Sequence, residues 1–106
     1  MVKAYFIINP ASRDFRCGKA WPGIKKRLTE QGFDIIEHMT ERIGHGAELA
    51  HQLRVEIESS GEEAPLVVAV GGDGIVHEVA SGLRGSTIPL GQIPFGSGND
   101  CCITHG

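Results

Sequence analysis

Apolar positions along the chain change period several times. Residues 3–9 (KAYFIIN) are rich in β-formers and stop at Pro10, which predicts a buried first strand. Trp21, Ile24 and Leu28 then recur at helical spacing, with Pro22 near the start and Gly32 just past the end, predicting a helix over roughly residues 19–31. Residues 33–39 form a second strand-like run, and Ala47, Ala50, Leu53 and Ile57 mark one face of a helix over about 45–59. After Pro65, residues 66–70 (LVVAV) are continuously apolar, as in a strand covered on both sides. Val76, Val79, Ala80 and Leu83 define a third helix over roughly 74–84. A fourth short strand over residues 88–93 is interrupted by Pro89 and Gly91, and residues 59–64 (SSGEEA) read as a solvated loop.

The order is therefore βαβαβαβ. Strands alternating with helices specify an α/β fold of three layers, a parallel sheet between helices with right-handed crossovers. Ligands in such sheets bind beyond the carboxyl ends of the strands. Chemistry is accordingly expected after Ile8, Met39, Val70 and Ile93.

Three of those four strand ends carry unusual residues. Gly71-Gly72-Asp73-Gly74 runs straight into a helix, so the backbone can turn tightly and a phosphate can approach without meeting a Cβ. The unpaired N–H groups at that helix start would face the anion. Asp73 would repel it unless a cation or donor shares the charge; the plainer reading is a tight turn with Asp73 as N-cap. Gly96-Ser97-Gly98-Asn99-Asp100 follows the same logic, against an ordinary Gly/Asn/Asp turn. Asn9-Pro10-Ala11-Ser12-Arg13 is weaker by itself, being compatible with a plain strand-ending turn. Lying at one edge of one sheet, the three make a shared phosphate site a better account than three separate turns.

Composition narrows the field. Fifteen glycines in 106 residues is about twice the usual share. A net charge of −3 supplies no basic field for nucleic acid or anionic lipid. The longest apolar stretch is far short of a membrane span, so membrane contact is expected to be peripheral at most. Residues 2–4 lead directly into a strand without a signal-peptide pattern, and Cys17, Cys101 and Cys102 form no disulfide framework or CxxC, so a reducing cytoplasm is expected.

Other motifs fail on inspection. Around Gly18-Lys19, Arg13 stands where a P-loop needs its first glycine and Ala20 where it needs the hydroxyl. No GxGxxG follows the first strand, and His77-Glu78 continues as Val79-Ala80-Ser81 rather than toward a second zinc-binding histidine. His45 and His51 read as surface residues of a helix, and Cys17 as a loop thiol without an assignable partner.

Taken in order, IINPASR at 7–13, the stretch from Thr40 through Gly44-His45-Gly46-Ala47-Glu48-Leu49-Ala50, VVAVGGDGIVHEVASGL at 67–83 and IPFGSGND at 93–100 resemble the catalytic domain shared by diacylglycerol kinases, sphingosine kinases and bacterial lipid kinases. GGDG occurs in NAD kinases too; followed by Glu78-Val79, Gly82-Leu83 and IPxGSGND it is far more specific. The resemblance implies transfer of the γ-phosphate of ATP to a lipid hydroxyl such as that of diacylglycerol, with Mg²⁺. It would place Asn9, Pro10, Ala11, Ser12, Arg13, Thr40, Gly71, Gly72, Asp73, Gly74, Ile75, Val76, His77, Gly96, Ser97 and Gly98 around ATP, with Glu78 fixing a loop and Asn99 and Asp100 shaping a turn beneath the nucleotide. No catalytic residue or metal ligand is assigned within the chain: the resemblance places the general base, most metal-linked groups and the lipid pocket in a second, β-rich domain.

The departures are specific. Ile75 stands where the family usually has threonine, Ser97 replaces another threonine conservatively, and Arg13 lies where the first loop often has glycine. Residues 1–100 are expected to be the nucleotide-binding domain. Residues 101–106 (CCITHG) form an atypical tail unlike the family's continuation, and the β-rich domain is not among the 106 residues. The isolated chain is accordingly expected to be inactive, with self-association through uncovered apolar surface. An NAD-kinase-like GGDG kinase and a non-catalytic nucleotide-binding module are the competing readings.

Overall fold

Period-two alternation in the first strand decides the layers. Ala4, Phe6 and Ile8 are buried on one face of the sheet with Cys17, Trp21 and Leu28. Tyr5 and Ile7 are buried on the other with Ala50, Leu53, Ile57, Ile75, Val79 and Leu83. Successive strand residues point to opposite faces, so a strand buried on both needs helices above and below it. The computed structural model, which describes residues 2–11, 15–61, 65–94 and 104–105, has this arrangement.

The elements are β1 (Val2–Ile8), α1 (Arg16–Glu30), β2 (Phe33–Met39), α2 (His45–Ser60), β3 (Leu66–Gly71), α3 (Asp73–Gly82), β4 (Leu90–Pro94) and the short β5 (Thr104–His105). Their order across the sheet is β2-β1-β3-β4-β5. β1 pairs in parallel with β2 and β3, and β3 with β4, while β5 runs antiparallel to β4. The chain moves from β1 to β2 in one direction and resumes beyond β1 at β3. Right-handed crossovers in opposite directions put α1 on one face and α2 and α3 on the other.

The α/β parallel architecture agrees with the sequence pattern; the boundaries differ for local reasons. α1 begins at Arg16, three residues early, because the loop winds directly into the helix: Gly18 N–H donates to Pro10 O (3.0 Å) and Lys19 N–H to Phe15 O (3.2 Å). Cys17 is therefore a fully buried helix residue one turn before Trp21, not a loop thiol. Pro22 lies inside the helix on its exposed side. α2 runs through Ser60 and ends at Gly61 in the left-handed conformation (φ 68°), so residues 59 and 60 are helical rather than loop. β4 starts at Leu90 because Pro89 has no N–H to give a ladder, although its carbonyl still accepts from Val67 N–H at 3.2 Å.

Helices α2 and α3 approach closely. A Cβ on Gly82 would lie 2.5 Å from Ala47 O and 2.6 Å from Ala50 Cβ, so glycine at that position sets the distance between the helices.

Candidate functional site

β1 lies between β2 and β3, and the chain leaves their carboxyl ends toward different faces. Diverging connections at such a switch point leave a crevice above the central strand. Here the crevice is a cleft of about 570 Å³, with walls from the segments after β1 and β2 and from the first turns of α3.

Asn9, Pro10, Ala11 and Phe15 form the first wall. Asn9 N–H extends the sheet pairing by donating to Val70 O (2.9 Å), and its side-chain oxygen accepts from Ala11 N–H (3.2 Å) in an Asx turn. Phe15, the N-cap of α1, has φ 68°. Left-handed backbone costs a bulky residue about 1–2 kcal/mol. Its ring is 63% exposed at the cleft.

The second wall is Thr40, Glu41, Arg42 and Ile43. Thr40 is buried and its N–H donates to Ile8 O (2.8 Å), which ties the wall to β1. Ile43 is 95% exposed. Arg42 hydrogen-bonds Glu48; the bond raises the guanidinium further above its ordinary value and holds the Glu48 carboxyl below the usual carboxylate range.

Gly74, Ile75 and Glu78 form the third wall. α3 starts from Gly72 as N-cap, so Asp73 is its first helical residue rather than its cap. The N–H groups of that first turn lack helical partners and give this wall a positive end. A Cβ built on Gly74 meets nothing within 4 Å among the described residues. Glu78 reaches across to α2: its two carboxylate oxygens accept from Gly44 N–H (3.1 Å) and Gly46 N–H (2.9 Å). A Cβ on Gly46 would sit 2.8 Å from one of those oxygens and 2.5 Å from Ile75 Cδ1, so glycine there permits the clasp.

Of the residues expected around a ligand, Asn9, Pro10, Ala11, Thr40, Gly74, Ile75 and Glu78 meet at this cleft. Gly71, Gly72, Asp73, Val76 and His77 lie along the same strand–helix junction but do not line it; Val76 packs against the core and Asp73 and His77 are exposed. Ser12, Arg13, Gly96, Ser97, Gly98, Asn99 and Asp100 lie outside the described residues. Ile75, read as a lost hydroxyl, is 3% exposed and packs into the α2–α3 core. His51 is exposed as expected, but His45 is half-buried and hydrogen-bonded, not a plain surface residue. Phe15, Glu41, Arg42 and Ile43 were not anticipated. An apolar Ile43 isolated in a polar segment just past a strand end was the available signal.

A family model for the diacylglycerol kinase catalytic domain matches residues 3–106. The chain belongs to that family. It is 37% identical over 98 residues to a diacylglycerol kinase of Mycobacterium tuberculosis, a match covering 92% of this chain and 30% of that protein. It is 32% identical over 110 residues to sphingoid long-chain bases kinase 1 of Arabidopsis thaliana, covering 96% of this chain and 14% of the relative. Among solved structures, "a putative diacylglycerol kinase from Bacillus anthracis" superposes with a TM-score of 0.72 at 25% identity, covering 92% of this chain and 34% of that one. The chain thus spans about a third or less of the length of the family members it matches.

Proposed function

We propose that these residues are the ATP-binding part of a lipid kinase that transfers the γ-phosphate of ATP to a lipid hydroxyl such as that of diacylglycerol. The observation that carries the reading is the cleft itself: the segments after β1 and β2 and the start of α3 converge on one space, and among the described residues nothing crowds the helix side of it at Gly74. Phosphates would lie against the first turn of α3, where unpaired N–H groups favour an anion. Thr40 and Asn9 would orient the nucleotide from the other two walls, and the exposed Phe15 and Ile43 would supply apolar contact for its base.

Mg²⁺ would arrive with the nucleotide, since this ion is commonly held by substrate phosphates and one or two carboxylates. Asp73, exposed in the first turn of α3, fits that minor role; among the described residues no cluster of three metal-ligating side chains exists. The ion would supply charge neutralisation on the phosphates. The residues themselves bind and orient.

The acceptor half of the reaction belongs to the greater length of the relatives, and these 106 residues tested alone would bind nucleotide without transferring phosphate. Among the described residues no helix is long and apolar enough to cross a membrane, and we place the protein in the cytoplasm, meeting its lipid at the membrane surface.

Thermal unfolding with and without ATP tests the reading. ATP at 100 times its dissociation constant adds about 2.7 kcal/mol, a rise on the order of 10 °C for a domain this size. Gly74→Val should fold, because its Cβ meets none of the described residues, yet lose the ATP-induced rise. An equal rise in the folded variant overturns the site. Lipid phosphorylation by the isolated chain above the Gly74→Val background overturns the division of labour.

A further inference from the structure

The second wall of the cleft is fastened at its backbone amides. Thr40 N–H donates to Ile8 O at 2.8 Å and His45 N–H to Arg42 O at 3.2 Å. Gly44 and Gly46 donate to the Glu78 carboxylate. Glu41 N–H donates to Nδ1 of His45 at 2.9 Å. Backbone carbonyls accept whatever the pH. An imidazole nitrogen accepts only while it carries no proton, and in the imidazolium both nitrogens are donors.

We propose that His45 is a positioning residue for the cleft: its unprotonated Nδ1 holds the Glu41–Ile43 segment in place, and protonation releases that segment and weakens nucleotide binding. The consequence for affinity rests on the nucleotide reading above; the latch itself does not. The charged groups around His45 make release a re-pairing. Glu41 and Arg42 belong to the loop, Glu48 lies one turn along α2 and is paired with Arg42, and Glu78 on α3 is engaged by the amides on either side of His45. An imidazolium interacts favourably with the Glu48 carboxylate, in competition with Arg42. Turning toward it would withdraw the acceptor from Glu41 and loosen the Arg42 side of the wall together.

His45→Asn provides the decisive comparison. The asparagine Oδ1 stands at the same bond distance from Cβ as histidine Nδ1 and can accept from Glu41 N–H, but it does not titrate. ATP affinity would be measured by calorimetry at about pH 8 and about pH 5.5 for the unaltered chain, His45→Asn and His45→Ala. The natural chain should lose about fivefold or more in affinity on acidification beyond the loss seen in His45→Asn, the size of one ordinary hydrogen bond. The asparagine variant also corrects for protonation of ATP itself. His45→Ala should bind weakly at both pH values. Parallel pH curves for the natural chain and His45→Asn overturn the proposal. Nitrogen NMR without nucleotide reads the latch directly: a bare Nδ1 at pH 8 and faster Glu41 amide exchange on acidification support it, and an Nδ1-protonated tautomer at pH 8 overturns it even if ATP does not bind.

Discussion

The two faces of the sheet are packed by different means. On one, α1 covers the strands with large side chains: Trp21 is 2% exposed and its ring lies 5.2 Å from that of Phe6, with Cys17 and Leu28 on either side along the helix. On the other, α2 and α3 lie so close that Gly82 and Gly46 are needed where they meet. Large side chains bury much apolar area and so contribute mainly stability. Close backbone approach fixes where one helix sits against another. Two of the three cleft walls lead into or belong to α2 and α3, so the glycine-packed face is the one that shapes the site.

That contrast can be broken by substitution, and the largest effect should come from the face that matters least to the cleft. Trp21→Ala should destabilise by about 3–5 kcal/mol in denaturant titrations, while amide exchange at Gly44 and Gly46 and the ATP-induced melting shift persist in the folded fraction. Loss of both would show that α1 also positions the site.

Gly82→Ala should cost less, about 1–3 kcal/mol for overpacking, because the added Cβ must displace Ala47 O and Ala50 Cβ. A helix-propensity gain of up to about 1 kcal/mol offsets part of this. Its effect on the cleft should nonetheless exceed that of Trp21→Ala, seen as faster exchange at Gly44 and Gly46 and weaker ATP binding. An intact cleft in this variant would mean that the helices part without moving the wall.

The smallest effect concerns Glu37 on β2. Its carboxyl is held below the usual carboxylate range by the Trp21 indole N–H first and by Lys25 second. A carboxyl with a lowered native pKa adds stability above its unfolded value and loses it as pH falls through the native value. Glu37→Gln should therefore narrow the difference between stability at neutral pH and in acid by a modest amount, since the side chain is 35% exposed and solvent screens the interaction. The test is the pH dependence of the denaturation midpoint. An unchanged pH profile would remove this bond from the account of how α1 is held to β2.

Element types were legible in the sequence because each carries its own period: the LVVAV run announced a strand covered on both faces, and Ala50, Leu53 and Ile57 announced one buried helix face. Ends were less legible. Cys17 is silent in an apolar pattern until the hydrogen bond from Gly18 to Pro10 shows the helix beginning before it. Among the residues that line the cleft, Asn9, Thr40, Gly74 and Glu78 belong to the motifs read from the sequence, whereas Phe15, Glu41, Arg42 and Ile43 do not. Exposure beside a cleft is a property of the folded surface, and no periodicity records it.

What the chain by itself determined is the layered α/β order and the strand ends at which a ligand could bind, because hydrophobic period and glycine placement act locally. Tertiary structure decided the rest. It brought Glu78 to the amides of Gly44 and Gly46, more than thirty positions earlier in the chain, and required glycine at 46 for the clasp to close. It turned His45 from a surface histidine into the acceptor for Glu41. Those contacts depend on how closely two helices pack and on which groups the turn after β2 leaves to be bonded, and a glycine in the sequence does not say which backbone it will lie against.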